Sequence, residues 1–312
     1  MFKYLRVSVT DRCNFRCVYC MPETGIDQLS HQNVMRYEEI LSTIKAAVDT
    51  GVEQIRITGG EPLVRKGIVD FIAKVASISG VKDLAMTTNA SLLADCALQL
   101  KQAGLRRVNI SMDSLNPQLF KKITRTGNLQ QVLNGIDAAI KAGLEQVKIN
   151  LVLIPGLNEH EIMDFVDFAY QRQLNLRFIE RMPFNTDDPS QALFVPQEKV
   201  INQISKKYKL SNITSDSYGP ARSFQINDTK AKVGFISSRT APFCHECKRL
   251  RLTANGYLLP CLDSDSGVYV KDKTEKQIVD IIKKLYKEKM SWHKQHACYG
   301  ITYSSYLSKI GG

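Results

Sequence analysis

The feature that most constrains this chain is an alternation running from its start to about residue 180. Short β-branched runs occur at Tyr4–Val9, Gln54–Thr58, Leu84–Thr87, Arg107–Met112, Gln146–Val152 and Leu174–Ile179. Amphipathic stretches separate them: Tyr37–Thr50, Ile68–Ser79, Leu92–Ala103, Leu129–Ala142 and Glu159–Arg172. Gly51, Gly80, Gly104 and Gly143 follow four of these stretches, where a left-handed helix stop belongs. Six strands alternating with helices read as a parallel α/β unit. Right-handed crossovers curl such a unit into a barrel or an open part of one. Residues 183–195 break the periodicity and read as a linker loop. Beyond them come a helix (Gln197–Tyr208), a strand-rich segment from Gly219 to Pro260 and a basic helix (Glu275–Lys289). Asn255-Gly256 is a two-residue hairpin signal. The expected organisation is a partial (β/α)6 barrel over 1–182, the linker, and a smaller α+β domain over 196–312.

In parallel α/β folds the chemistry sits just beyond the strand ends. The polar residues gather there: Cys13, Cys17 and Cys20 after the first run, Thr58-Gly59-Gly60-Glu61-Pro62 after the second, and Thr87-Thr88-Asn89 after the third. Ser111-Met112-Asp113-Ser114 follows the fourth, Lys148-Ile149-Asn150 lies on the fifth, and Glu180-Arg181-Met182 follows the sixth. Gly59-Gly60 can be a tight turn, or can bring backbone close to a ligand.

The cysteines carry the sharper signal. Cys13, Cys17 and Cys20 are spaced C-x3-C-x2-C, with no fourth local donor. Structural zinc closes all four positions, so a zinc site here has to borrow a distant ligand such as a histidine. A [4Fe–4S] cube held by three thiolates instead keeps one iron open. Cys244, Cys247 and Cys261 form a second triplet, again a zinc site completed by His245 or Cys298, or a second cube. Cys96 and Cys298 stand apart and read as buried thiols. Clustered thiols in a chain of 312 residues point to ligands in a reducing compartment, not to a disulfide scaffold.

The net charge is +11, yet no block of five or more basic residues occurs. That disfavours nucleic acid and favours a cavity lined with arginine for a small polyanion. Arg249 and Arg251 occupy alternate positions after Cys247, hence one strand face. No apolar run approaches the ~18–20 residues of a membrane span, and the start lacks a secretory apolar core. A cytoplasmic protein is expected.

The first cysteine triplet, with Tyr19 before its last cysteine, resembles the cluster signature of radical S-adenosylmethionine (SAM) enzymes. More specifically, the chain resembles the molybdenum cofactor biosynthesis A family, the radical SAM GTP 3′,8-cyclases. The stretches that carry this are Leu5–Asn14, Arg56–Leu63, Thr87-Thr88-Asn89, Lys148-Ile149-Asn150, Arg177–Glu180, Gly219–Arg222 and the Ile310-Gly311-Gly312 tail. The resemblance implies two [4Fe–4S] clusters and SAM as cofactors, with Tyr19, Gly60, Ser111 and Met182 at the SAM positions. It places Arg6, Arg56, Thr87, Lys148, Arg249, Leu250 and Arg251 on GTP, with Arg177 an added phosphate contact. A 5′-deoxyadenosyl radical would abstract the C3′ hydrogen of GTP, and the C3′ radical would attack guanine C8, giving 3′,8-cyclo-7,8-dihydro-GTP. Gly311 and Gly312 would thread into the active site. The implied partners are a flavodoxin or ferredoxin electron donor and the downstream cyclic pyranopterin monophosphate synthase. Relatives are often homodimers, but no interface is readable here. Ala90 departs from the family, where glycine often follows Thr-Thr-Asn, and the 184–192 loop does not match a family pattern. The alternatives are a radical SAM peptide-modifying enzyme with an auxiliary cluster and a zinc-stabilised RNA-binding protein.

Overall fold

The structure is a computed structural model that describes residues 1–182, 193–213, 219–262, 264 and 267–295. Residues 183–192 of the expected linker, Cys298, Gly311 and Gly312 lie outside the described residues.

The six expected strands form within one or two residues of their sequence bounds: β1 (Tyr4–Ser8), β2 (Gln54–Thr58), β3 (Asp83–Thr88), β4 (Arg107–Ser111), β5 (Gln146–Leu153) and β6 (Asn175–Glu180). They lie side by side in chain order, all parallel. Helices α1 (Tyr37–Asp49), α2 (Ile68–Ala76), α3 (Ala97–Gln102), α4 (Pro117–Thr124), α5 (Leu129–Lys141) and α6 (Ile162–Gln171) fill the crossovers. Gly51, Gly80, Gly104 and Gly143 take φ of 95°, 98°, 97° and 72°, the left-handed stops that the sequence indicated.

Four helical stretches are shorter than expected: α2 stops at Ala76 and the later Gln197–Tyr208 helix at Ser205, three residues early, and two others are broken internally. The Leu92–Ala103 pattern breaks at Cys96, whose φ of −138° leaves the helical region. The Glu159–Arg172 pattern starts as a single turn, Glu159–Glu161, before α6. Helix α4 escaped the periodicity reading because it is short, yet its start is written in the sequence. Pro117 opens it, and the Asn116 side chain accepts from the Gln118 and Leu119 N–H groups.

Chain after residue 192 does not stand apart from the barrel sheet. After α7 (Gln197–Ser205), β7 (Leu210–Ile213), β8 (Arg222–Ile226) and β9 (Lys232–Ile236) form a meander whose last strand pairs parallel with β6. At the opposite edge β10 (Arg249–Leu252) pairs parallel with β1 and antiparallel with β11 (Tyr257–Leu259), which pairs with β12 (Val268–Tyr269). One twelve-stranded sheet results, with the later segment extending both edges. The β10–β11 turn is not the two-residue type expected. Thr253 and Tyr257 are bridged by a backbone bond, leaving Ala254-Asn255-Gly256 as a three-residue loop with Gly256 at φ 90°.

Helix α8 (Glu275–Gln295) runs past the expected Lys289 end and packs on α1. Among the described residues no helix is long and apolar enough to cross a membrane.

Candidate active site

The barrel-facing ends of the strands enclose a cavity of about 350 Å³. Both cysteine triplets line it, Cys13, Cys17 and Cys20 on one side and Cys244, Cys247 and Cys261 on the other.

The first triplet sits on the loop after β1, and its backbone is held from outside. Arg16 N and Val18 N donate to the carbonyls of Thr124 and Ile123. In return Arg125 donates to the Arg16 carbonyl at 2.9 Å and the Met21 carbonyl at 3.0 Å, and Thr126 Oγ1 to the Asn14 carbonyl at 2.8 Å. Arg125 adopts φ 61° to do this, a conformation that costs a β-carbon residue energy. Gly59 and Gly60 close the loop from the β2 side. A β-carbon on Gly60 would stand 2.3 Å from the Arg12 carbonyl oxygen, and one on Gly59 2.7 Å from that of Thr10. The close backbone approach is therefore first to the chain's own cysteine loop. Burial pushes the Cys13 thiol up to about 11 and raises that of Cys17 well above its usual value, with Asp113 adding to the latter.

Glu61 and Asp113 brace this region from within. Glu61 is fully buried and accepts from Thr88 Oγ1 (2.7 Å), Asn89 N (2.6 Å) and Leu63 N (3.0 Å). It thus ties the β2 loop to the end of β3, and burial holds its carboxyl up at about 7. Asp113 accepts from Tyr19 Oη at 2.7 Å and from Val152 N at 2.9 Å, joining the cysteine loop to β4 and β5. Burial pushes this carboxyl up to about 6.

The second triplet is assembled differently. Cys244 and Cys247 flank a short turn before β10, and Cys261 follows β11. The hairpin runs out and back, so the thirteen intervening residues return Cys261 beside Cys247. Arg249 Nε donates to Cys247 Sγ at 3.4 Å and Lys289 Nζ at 3.2 Å. Burial pushes the Cys247 thiol up, but Arg249 and Lys289 together outweigh it and hold it down at about 6. Cys244 is disulfide-bonded in this structure, and a ligand role there requires that bond to be reduced.

Between the triplets runs a row of cations. Arg6 on β1 is in register with Arg251 on β10 and with Arg56 on β2. Adjacent strands lie ~4.8 Å apart, and like charges directly opposite repel. Burial and the neighbouring cations lower all three, Arg251 to about 10, and lower Arg177 to about 10 and Lys148 to about 6. Buried on the same wall are Tyr4 Oη, Thr87 Oγ1 and Asn150 Oδ1, none with a protein hydrogen-bond partner. Such a wall suits an anionic, polar ligand.

The thiol geometry bears on the metal. Among the described residues no three His, Cys, Asp or Glu side chains are arranged to hold a metal ion. The donor set separates the two metals: three thiolates fall one short of the four donors that structural zinc closes, and match a [4Fe–4S] cube that keeps one iron open.

Sequence comparison agrees. The chain matches the Radical SAM superfamily over residues 7–169 and Molybdenum Cofactor Synthesis C over residues 174–297. A GTP 3′,8-cyclase of Geobacter sulfurreducens is 42% identical over 99% of this chain and 96% of its own length. One from Thermodesulfovibrio yellowstonii is 47% identical over 86% of this chain and 84% of its own. The chain belongs to the GTP 3′,8-cyclase family of radical SAM enzymes.

Solved radical SAM structures share the fold. SAM-bound SuiB of Streptococcus suis superposes with a TM-score of 0.63 at 15% identity, covering 93% of this chain and 68% of SuiB. AdoMet-bound anSMEcpe gives 0.61 at 14% identity, covering 99% and 89%.

Against this family frame, Tyr19, Gly60, Ser111 and Met182 all line the cavity, as do Arg6, Arg56, Thr87, Arg177, Arg249 and Arg251. Lys148 is buried behind that wall, close enough to Arg177 and Arg56 to feel their charge. Leu250 is the exception. Strand alternation turns its side chain into the core, fully buried, so only its backbone is left to meet a substrate. Sequence reasoning gave no role to Lys289. Its signal is the spacing Ile278, Ile282, Leu285, Lys289, which puts a lysine in the buried stripe of α8.

Proposed function

We propose that this chain converts GTP to 3′,8-cyclo-7,8-dihydro-GTP, the first step of molybdenum cofactor biosynthesis. The observation that carries the reading is the in-register row Arg251–Arg6–Arg56 on the wall between the two triplets. A triphosphate with roughly four negative charges relieves its repulsion by charge-assisted contacts.

Cys13, Cys17 and Cys20 would hold a first [4Fe–4S] cluster. Together with SAM, such a cluster would supply a 5′-deoxyadenosyl radical. Cys247 and Cys261, with Cys244 once reduced, would hold a second cluster, which would supply an iron for the guanine. Tyr19, braced by Asp113, and the Gly59-Gly60 backbone would seat SAM beside the loop. The arginine row, Arg177 and Lys148 would take the phosphates and fix the ribose C3′ toward the first triplet, so that the C3′ hydrogen passes to the 5′-deoxyadenosyl radical, the C3′–C8 bond forms, and one electron from the reductant with one proton completes the product. A peptide-modifying role has no support beyond fold likeness at about 15% identity, which speaks for architecture alone.

The test is anaerobic incubation of reconstituted protein with GTP, SAM and dithionite. Formation of 3′,8-cyclo-7,8-dihydro-GTP with one 5′-deoxyadenosine per product is expected. SAM cleavage that GTP neither stimulates nor is consumed by would overturn the substrate assignment.

A further inference from the structure

Lys289 lies 3% exposed at the base of the cavity, and all three of its N–H donors are used. They reach Cys247 Sγ at 3.2 Å, the Arg249 carbonyl at 2.8 Å and the Pro260 carbonyl at 2.8 Å. The Phe2 ring covers the ammonium, its centroid 5.4 Å away. The three acceptors are not scattered. Cys247 is one thiol of the second triplet, Arg249 opens β10, and Pro260 immediately precedes Cys261.

Stability alone does not explain a lysine here. The apolar stripe Ile278, Ile282, Leu285 would continue equally well through methionine, and burying an ammonium costs more than burying a thioether. None of the described ion pairs gives Lys289 a carboxylate. Among the described residues its one acceptor able to carry full negative charge is the Cys247 sulfur.

We propose that Lys289 is a positioning residue of the second cluster, clamping the Cys247 and Cys261 segments together and donating an N–H···S bond that raises that cluster's reduction potential. The inference rests on the second-cluster reading given above. Hydrogen bonds to cluster sulfurs and nearby positive charge both favour the reduced, more negative state. The couple concerned is the one-electron reduction of the cluster by dithionite, with no bond made or broken.

The experiment uses full-length protein with Cys13, Cys17 and Cys20 all changed to alanine, so that only the second triplet can bind iron. That parent should hold about four irons and four sulfides per chain. Its reduction is then titrated by electron paramagnetic resonance in the parent and in Lys289→Met, Lys289→Gln and Lys289→Arg. Lys289→Met should make reduction about tenfold less favourable, ~59 mV for a one-electron couple. Lys289→Arg, which keeps charge and donors, should stay within about threefold of the parent. If Lys289→Met fails to fold or load iron, the Gln and Arg variants decide: a shift in Gln alone supports the role. Equal potentials in all variants, or equal shifts in Arg and Gln, overturn it in favour of simple packing. A parent without iron and sulfide overturns the second cluster and this inference together.

Discussion

The two cysteine sites face each other across one cavity but are built by opposite means. The first is a continuous loop whose backbone is tied down by Thr124, Arg125, Thr126 and the Gly59-Gly60 approach, while burial holds its Cys13 and Cys17 thiols up. The second comes from two segments that a hairpin brings together, and two cations hold its Cys247 thiol down. A site made from contiguous residues can be ordered by backbone contacts. A site made from separated segments needs a side chain to bridge them, and Lys289 does so.

The comparison breaks most sharply at the thiols themselves. Replacing Cys13, Cys17 and Cys20 with alanine should abolish SAM cleavage and leave about half of roughly eight irons per chain. Replacing Cys247 and Cys261 should instead spare reductive SAM cleavage and abolish cyclised product. Equal loss of SAM cleavage in both variants, read by 5′-deoxyadenosine yield, would erase the division of labour.

Next in size are the arginines between the sites. Arg56→Ala and Arg251→Ala should each weaken GTP by roughly one to two orders of magnitude, since a charge-assisted contact is worth ~1.5–3 kcal/mol. SAM affinity should hold. Equilibrium binding of each ligand separately checks this, and parental GTP affinity in either variant would remove that arginine from the substrate.

Glu61 sharpens the account of the first site through pH. Its carboxyl rises from the usual 4.5 to about 7 in the folded chain. Between those values the folded state binds more protons than the unfolded one, so stability falls as pH rises through the window. Between pH 5 and pH 7 the fall should be about 2 kcal/mol for this group. Urea midpoints of the metal-free protein at pH 5 and pH 7 measure it, and Glu61→Gln should flatten the difference. An unchanged slope in that variant would assign the pH dependence elsewhere.

The smallest effect concerns Ala90, fully buried at φ 60° directly after Asn89 of the Glu61 network. Left-handed backbone strains a β-carbon residue. Ala90→Gly should raise thermal stability by about 0.5 kcal/mol, net of the entropy that glycine adds to the unfolded chain. A lower melting temperature would mean that the buried methyl matters more than the strain.

Sequence by itself determined the six βα units, the left-handed stops and the first cysteine site. Each is written in contiguous residues through strand and helix periods, and in a ligand spacing within one loop. Even Leu250 was within reach, because alternation from Arg249 and Arg251 already sends it to the other face. Only the tertiary structure decided that β10 pairs with β1, which puts Arg251 beside Arg6 across most of the chain's length. It also decided that α8 delivers Lys289 to Cys247, and that the later strands join both edges of the barrel sheet. Strand register between distant segments, and the place where a helix docks, follow from packing the whole core. No local period encodes them.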